Sequence, residues 1–221
     1  MSRQHKNQGQ GQGRPVMHKA RRGGRVTETR EKEILREALS LFLEKGYDGA
    51  TMDDIISIVG GSKSTLYSHF GGKDGLLASA VKQHCADVDV AIDVADRGDT
   101  AAQLTQIGRS FLAAVLSART IDLYRLMVSI GKRFPSLGKL FYESGPKSAY
   151  AIVARWIENQ QLAGKLDSGD PRRQAVLFLD MLLGEQQLGL LLSVPHVSTA
   201  KTINATVEQA VSVFLHGVGR A

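Results

Sequence analysis

From Thr27 onward apolar residues recur every three to four positions, and polar ones fill the gaps. Ile34, Leu35, Ala38, Leu41 and Phe42 fall on one arc of a helix, which the run 46–49 (GYDG) stops. Thr51 opens a short second helix, with Asp54 three residues on as a weaker form of the capping box. Met52, Ile55, Ile56 and Val59 share one face of that helix. Gly60-Gly61 breaks it, because glycine reaches the φ > 0 conformations a tight turn requires. A third short helix starts at a Ser62 cap, where Leu66 and Phe70 lie together on the inner side.

Beyond residue 73 the pattern predicts helices over 73–97, 99–117, 119–132, 136–143, 146–163, 171–193 and 199–217, and no convincing strand. Pro135, Pro146, Pro171 and Pro195 all fall at boundaries, where proline is tolerated. The fold class is all-α. In 199–217, Ile203, Val207, Ala210, Val211 and Phe214 form a single stripe, adequate for one partner. In 175–192 the apolar residues go most of the way round, so that helix is expected to pack against two surfaces. The second of those surfaces is expected to be another protomer, giving a homodimer through the last two helices.

With 221 residues, 43% of them hydrophobic, the chain can bury a sizeable core. A single cysteine, Cys85, cannot form an internal disulfide, so a reducing compartment is the default. No apolar run resembling a secretory signal is visible at the N-terminus. The most apolar stretch, 175–194, is interrupted by Asp180, Glu185, Gln186 and Gln187 and reads as buried in protein. A cytoplasmic location is therefore expected. Charge changes the picture more. Residues 1–30 hold eight Lys/Arg against Glu28 alone, and the rest of the chain is almost neutral. Residues 1–26, rich in Gln, Gly and Arg, are expected to be a disordered basic arm, which suggests a polyanionic partner. A solubilising tail has the same composition.

Two short helices joined by a glycine turn can form a helix-turn-helix, whose second helix enters a DNA major groove. On the helix starting at Ser62, the residues Ser64, Thr65, Tyr67 and Ser68 point away from Leu66 and Phe70. Lys63 sits in the exposed first turn, and Lys73 opens the following helix, where the dipole also favours an anion. Small hydroxyls allow close approach to base edges and can bond phosphates, and Tyr67 adds reach. His69 lies about 60° from the Leu66 direction, so packing competes with DNA contact there. Two core helices with a solvated face would give the same pattern.

The run from Thr29 to Leu77 resembles the DNA-binding domain of the TetR/AcrR family of bacterial transcriptional regulators. The matching segments are 41–47 (LFLEKGY), 50–55 (ATMDDI), 62–70 (SKSTLYSHF) and 73–77 (KDGLL), in the family's order and spacing. Gly61 departs from the pattern, since the family usually has an apolar residue there. Residues 123–146 (LYRLMVSIGKRFPSLGKLFYESGP) look like part of the helical C-terminal domain of the AefR-like subgroup. The resemblance implies a DNA-binding domain over 27–77 and an effector-binding and dimerisation domain over 78–221. It also implies a homodimer on double-stranded, near-palindromic operator DNA, most often a repressor, released by a small molecule.

The expected DNA contacts are Thr51, Ser62, Lys63, Ser64, Thr65, Tyr67, Ser68, His69 and Lys73, with Arg21, Arg22 and Arg25 supplied by the arm. Tyr124, Met127, Phe134, Trp156, Phe178 and Met181 are aromatic and sulfur side chains suited to an apolar or planar effector, although most such residues are simply core. Catalytic chemistry is not in view. The segment 62–65 (SKST) echoes the end of a phosphate-binding loop, but its first glycine is replaced by Ser57 and no strand precedes it. No metal spacing or nucleophile elbow occurs, and His84 and Cys85 are neighbours on a helix that face different ways. No cofactor is expected. The competing reading is a metabolite-binding protein or an enzyme that uses a cavity in the helical C-terminal part. Membrane docking through the arm is not expected, because the arm lacks apolar anchors.

Overall fold

The elements follow from local signals that end and begin each helix. The computed structural model describes residues 27–92, 94, 98–195 and 198–218, and the expectations placed on the basic arm lie outside these. Among the described residues there are ten α-helices and no strand. The first four are α1 (Glu28–Gly49), α2 (Met52–Val59), α3 (Lys63–Phe70) and α4 (Lys73–Ala91). Next come α5 (Thr100–Val115), α6 (Ala118–Gly131) and α7 (Pro135–Ser144). The chain continues through α8 (Pro146–Leu162), α9 (Pro171–Leu191) and α10 (Ala200–Val218).

Proline occupies the first turn of α7, α8 and α9, where its missing N–H has no helical partner in any case. Asp99, Ser117 and Asp170 cap α5, α6 and α9 through their side-chain oxygens. Two helices are broken internally at glycine: α1 at Gly46 (φ 70°) and α9 at Gly184 (φ 28°). The first break is the expected stop at GYDG. The second was not legible in the apolar pattern.

Two apolar clusters form the core. One joins α1 to α4 with Leu123, Leu126, Met127 and Ile130 of α6 and Leu137 of α7. The other is built by α5, α8, α9 and α10, with Ile92 from the end of α4. The first cluster therefore extends beyond residue 77, and the N-terminal helices share their core with α6 and α7. On one side α9 buries Phe178, Leu179 and Leu182. On the other it exposes Leu177, Met181, Leu188 and Leu192.

Three arginines fasten α6 to its surroundings. Arg119 donates from Nη1 to Ser40 Oγ (3.0 Å) and from Nη2 to the carbonyl of Arg36 in α1 (2.8 Å). Arg125 donates to the carbonyls of Leu190 and Leu191, and so caps the C-terminus of α9 where cations are favoured. Arg133, just past the helix, reaches Asp48 Oδ1 at 2.5 Å.

Candidate nucleic-acid interface and cavity

The turn between α2 and α3 needs glycine. Gly60 and Gly61 have φ of 69° and 97°, conformations that a residue with a Cβ rarely adopts. Gly61 thus takes a conformation that the apolar residue usual at this position would rarely adopt. Ahead of the turn, α2 is closed by a reciprocal box: Asp54 N–H donates to Thr51 Oγ1 (3.1 Å), and Thr51 N–H donates to Asp54 Oδ2 (3.1 Å). The Thr51 hydroxyl and then Lys45 hold the Asp54 carboxyl below its usual range. Thr51 is exposed, but its hydroxyl serves this cap.

Ser62 caps α3, accepting from Thr65 N–H at 3.1 Å. Leu66 and Phe70 are buried beneath the helix, and Gly71 ends it in a left-handed conformation. Lys63, Ser64, Tyr67 and Ser68 are exposed on the outer side, and Thr65 is half-buried beside Ser62. Tyr67 keeps 43% of its surface open. Lys63 pairs with Asp53 Oδ1 at 2.7 Å, which raises its pKa. Both partners are exposed, so the pair is weak and easily exchanged for a phosphate.

Two of the expected contacts turn elsewhere. His69 Nε2 lies 3.4 Å from Glu31 of α1, so the imidazole packs along the domain's flank. Lys73 Nζ stands 4.4 Å from the centre of the Tyr47 ring and 3.5 Å from the carbonyl of Asp48. Tyr47 donates its hydroxyl to Asp74, and burial, helped by that bond, pushes its pKa up to about 12. Arg21, Arg22 and Arg25 lie outside the described residues.

A cavity of about 220 Å³ lies among α4 to α9. Tyr124, Phe141 and Tyr150 supply aromatic walls, with Phe141 edge-on to Tyr124 at 5.6 Å between centroids. Polar groups are few. His84 Nε2 is 3.0 Å from Thr120 Oγ1, and burial followed by the nearby Arg119 charge lowers its pKa, favouring the neutral ring. Tyr150 donates to Asp180 Oδ1 at 2.9 Å, and burial pushes its pKa up to about 12. Burial does the same to the Cys85 thiol on the same wall, again to about 12, so it is an inert lining group.

Of the six residues expected around an effector, only Tyr124 lines this cavity. Met127 and Phe134 belong to the first core, Phe134 lying 4.6 Å from the Tyr47 ring. Trp156 is buried in the second core, where its Nε1 donates to Gln103 Oε1 at 3.0 Å. Phe178 is wholly enclosed against Phe214, and Met181 faces outward on α9. The walls missed by sequence reasoning come mainly from α7 and α8, where Phe141, Tyr142 and Tyr150 flank Gly145-Pro146. Aromatic residues bracketing a Gly-Pro break were the one available signal.

Among the described residues no helix is long and apolar enough to cross a membrane, and no group of three or more His, Cys, Asp or Glu could hold a metal. Residues 34–80 match the family model of bacterial regulatory proteins of the tetR family. Residues 102–217 match that of the AefR-like transcriptional repressor C-terminal domain. The biofilm operon icaADBC negative regulator IcaR of Staphylococcus aureus (strain Newman) is 46% identical over 50 residues, 23% of this chain. Its Staphylococcus epidermidis counterpart is 42% identical over the same length. The chain thus spans only 27% of the length of these relatives. Over most of its length it superposes on a structure assigned to the TetR family from Mesorhizobium loti MAFF303099. That comparison has a TM-score of 0.81 and 26% identity, covering 87% of this chain and 98% of the other. The flavonoid-responsive regulator FrrA gives a TM-score of 0.76 and 29% identity, covering 88% and 100%.

Proposed function

The chain belongs to the TetR family of bacterial transcriptional regulators, and from that membership we propose that it is an operator-binding repressor released by a compact aromatic effector. The observation that carries the DNA-binding half is the outer face of α3. A serine-capped helix presents Lys63, Ser64, Tyr67 and Ser68 to solvent with its apolar side fully engaged. Such a face fits a major groove. Selecting binding sites from random DNA tests this directly: a recurrent near-palindromic sequence is expected, and a library that fails to converge would refute it.

Tyr67→Ala and Lys63→Ala should each weaken binding to the selected site and leave the melting temperature nearly unchanged. Loss of Lys63 should lower the slope of log K against log salt by about one unit, as for a single phosphate contact. Unfolding of both variants would make these side chains structural.

The reading unit is acidic for its task, with five Lys/Arg against eight Asp/Glu over residues 31–76. In our reading Arg21, Arg22 and Arg25 supply the missing charge, as an arm along the minor groove. Deleting residues 1–25 should reduce affinity strongly at low salt and flatten the salt dependence. An unaltered slope would make the arm a bystander.

For the effector, FrrA is flavonoid-responsive, and flavonoids are planar phenols. The cavity here suits the same chemistry: aromatic walls for the ring, with His84 and Gln187 on the lining to meet a hydroxyl. His84, Cys85 and Val88 are on α4, whose first residue is Lys73, so a ligand that displaces them tilts the helix carrying the reading unit. Release requires that the ligand prefer the DNA-free form, and operator DNA must weaken the ligand by the same factor.

A further inference from the structure

A second cleft, of about 320 Å³, opens where α1, α4 and α6 meet. Its rim is cationic. Lys32 and Arg36 come from α1 and Arg119 from α6, against Asp87 of α4 as the one carboxylate on the lining. Beneath them the buried side chains of Leu35 and Leu39 give an apolar floor.

One of the two guanidinium groups is held in place without an ion pair. Arg119 is fixed by uncharged acceptors, Ser40 Oγ and the carbonyl of Arg36. Among the described residues neither Arg36 nor Arg119 has a carboxylate oxygen within ion-pair distance, and Lys32 is engaged only by exposed Glu28 at 2.9 Å. Burial, then the like charge of Arg36, lowers the pKa of Arg119, against the opposite pull of Glu37 and Asp87. An exposed guanidinium group, Arg36, and a half-buried one, Arg119, share this rim with Asp87 as the one facing carboxylate, and together they favour an incoming anion, which they bind through charge-assisted hydrogen bonds. The apolar floor adds a preference that a bare inorganic ion cannot satisfy.

We propose that this cleft is a second ligand site, taking a small organic carboxylate with a compact apolar body. The carboxylate meets Arg36 and Arg119 at the rim, and the apolar body covers Leu35 and Leu39. The cleft shares only His84 with the aromatic cavity, and its occupancy is measurable on the DNA-free protein. Its failure would therefore leave the operator-binding reading untouched.

The test uses the full chain, labelled with 15N-arginine, and benzoate as the probe. Titration is expected to shift two arginine Nε–Hε resonances saturably. Benzamide, the uncharged isostere, should shift neither, and inorganic phosphate should bind at least about tenfold more weakly. Arg36→Gln keeps the backbone carbonyl that Arg119 uses, so its melting temperature should hold while benzoate binding falls about tenfold or more. Lys32→Gln, on the exposed rim, is the companion variant and should weaken benzoate in the same direction. The proposal is overturned by any of four results: no saturable shift, equal binding of benzamide, equal binding of phosphate, or undiminished benzoate binding in both variants.

Discussion

With Leu188 and Leu192 both replaced by glutamate, the protein should sediment as a monomer and bind its operator roughly 10²–10⁴-fold more weakly. Leu188 and Leu192 are 59% and 67% exposed at the end of α9, beyond its break at Gly184, and Leu177 and Met181 are exposed ahead of that break. Four large apolar side chains open to water on one element are what a second copy would cover. Burying four new carboxylates in the resulting two-fold interface is prohibitive, because each would be stripped of water without a partner. The operator loss follows from the loss of coupling between two reading helices on one site, since each monomer would engage a half-site alone. The protomer's own core is on the opposite side of α9, so helical content should persist. A dimer that survives both substitutions would place the interface elsewhere.

Phe178→Ala should lower the melting temperature by about 10 °C, the largest stability effect expected of one substitution here. The ring is fully buried, 5.2 Å between centroids from Phe214, with Leu179 and Leu182 in the same cluster. Removing it forfeits its transfer free energy and leaves a void that α9 and α10, packed on each other, cannot close, a cost of roughly 3–5 kcal/mol. For a chain of this size each kcal/mol corresponds to roughly 2–4 °C. A side chain bordering an open ligand space would cost far less. Calorimetry on the ligand-free protein separates the two, and a shift of a degree or so would return Phe178 to the wall of a cavity.

That contrast explains what the sequence could and could not disclose. Helices were legible because their causes are local. Thr51 and Ser62 cap the helices they precede, and Pro135, Pro146 and Pro171 start theirs. The inward and outward faces of α3 were legible for the same reason, since one turn of spacing separates Leu66 from Phe70. A cavity has no local cause. Phe178 and Tyr150 are both aromatic residues on helices, yet one is enclosed and the other borders empty space, and only the placing of neighbouring helices decides which. The fastening of α6 was hidden likewise: Arg119 finds Ser40 across 79 positions, and Arg133 finds Asp48 across 85. His69 was ambiguous by its angle, and Glu31, from a helix distant in sequence, set its direction.

The way Arg119 grips α1 bears on how such a protein can change its target. Its Nη2 bonds a main-chain carbonyl, that of residue 36, and Lys73 likewise approaches the carbonyl of residue 48. Every amino acid offers that acceptor, so these attachments are blind to the identity of the helix they hold. Only Ser40 and Asp48 contribute polar side chains to the joint with Arg119 and Arg133. A foreign reading head spliced in over 27–70 needs to keep those two residues, Tyr47 with its bond to Asp74, the Thr51 and Ser62 caps and the apolar inner faces of α1, α2 and α3. The joint is thus built as a socket, which holds the first three helices by main-chain acceptors and an apolar seam and leaves most outward side chains out of the grip.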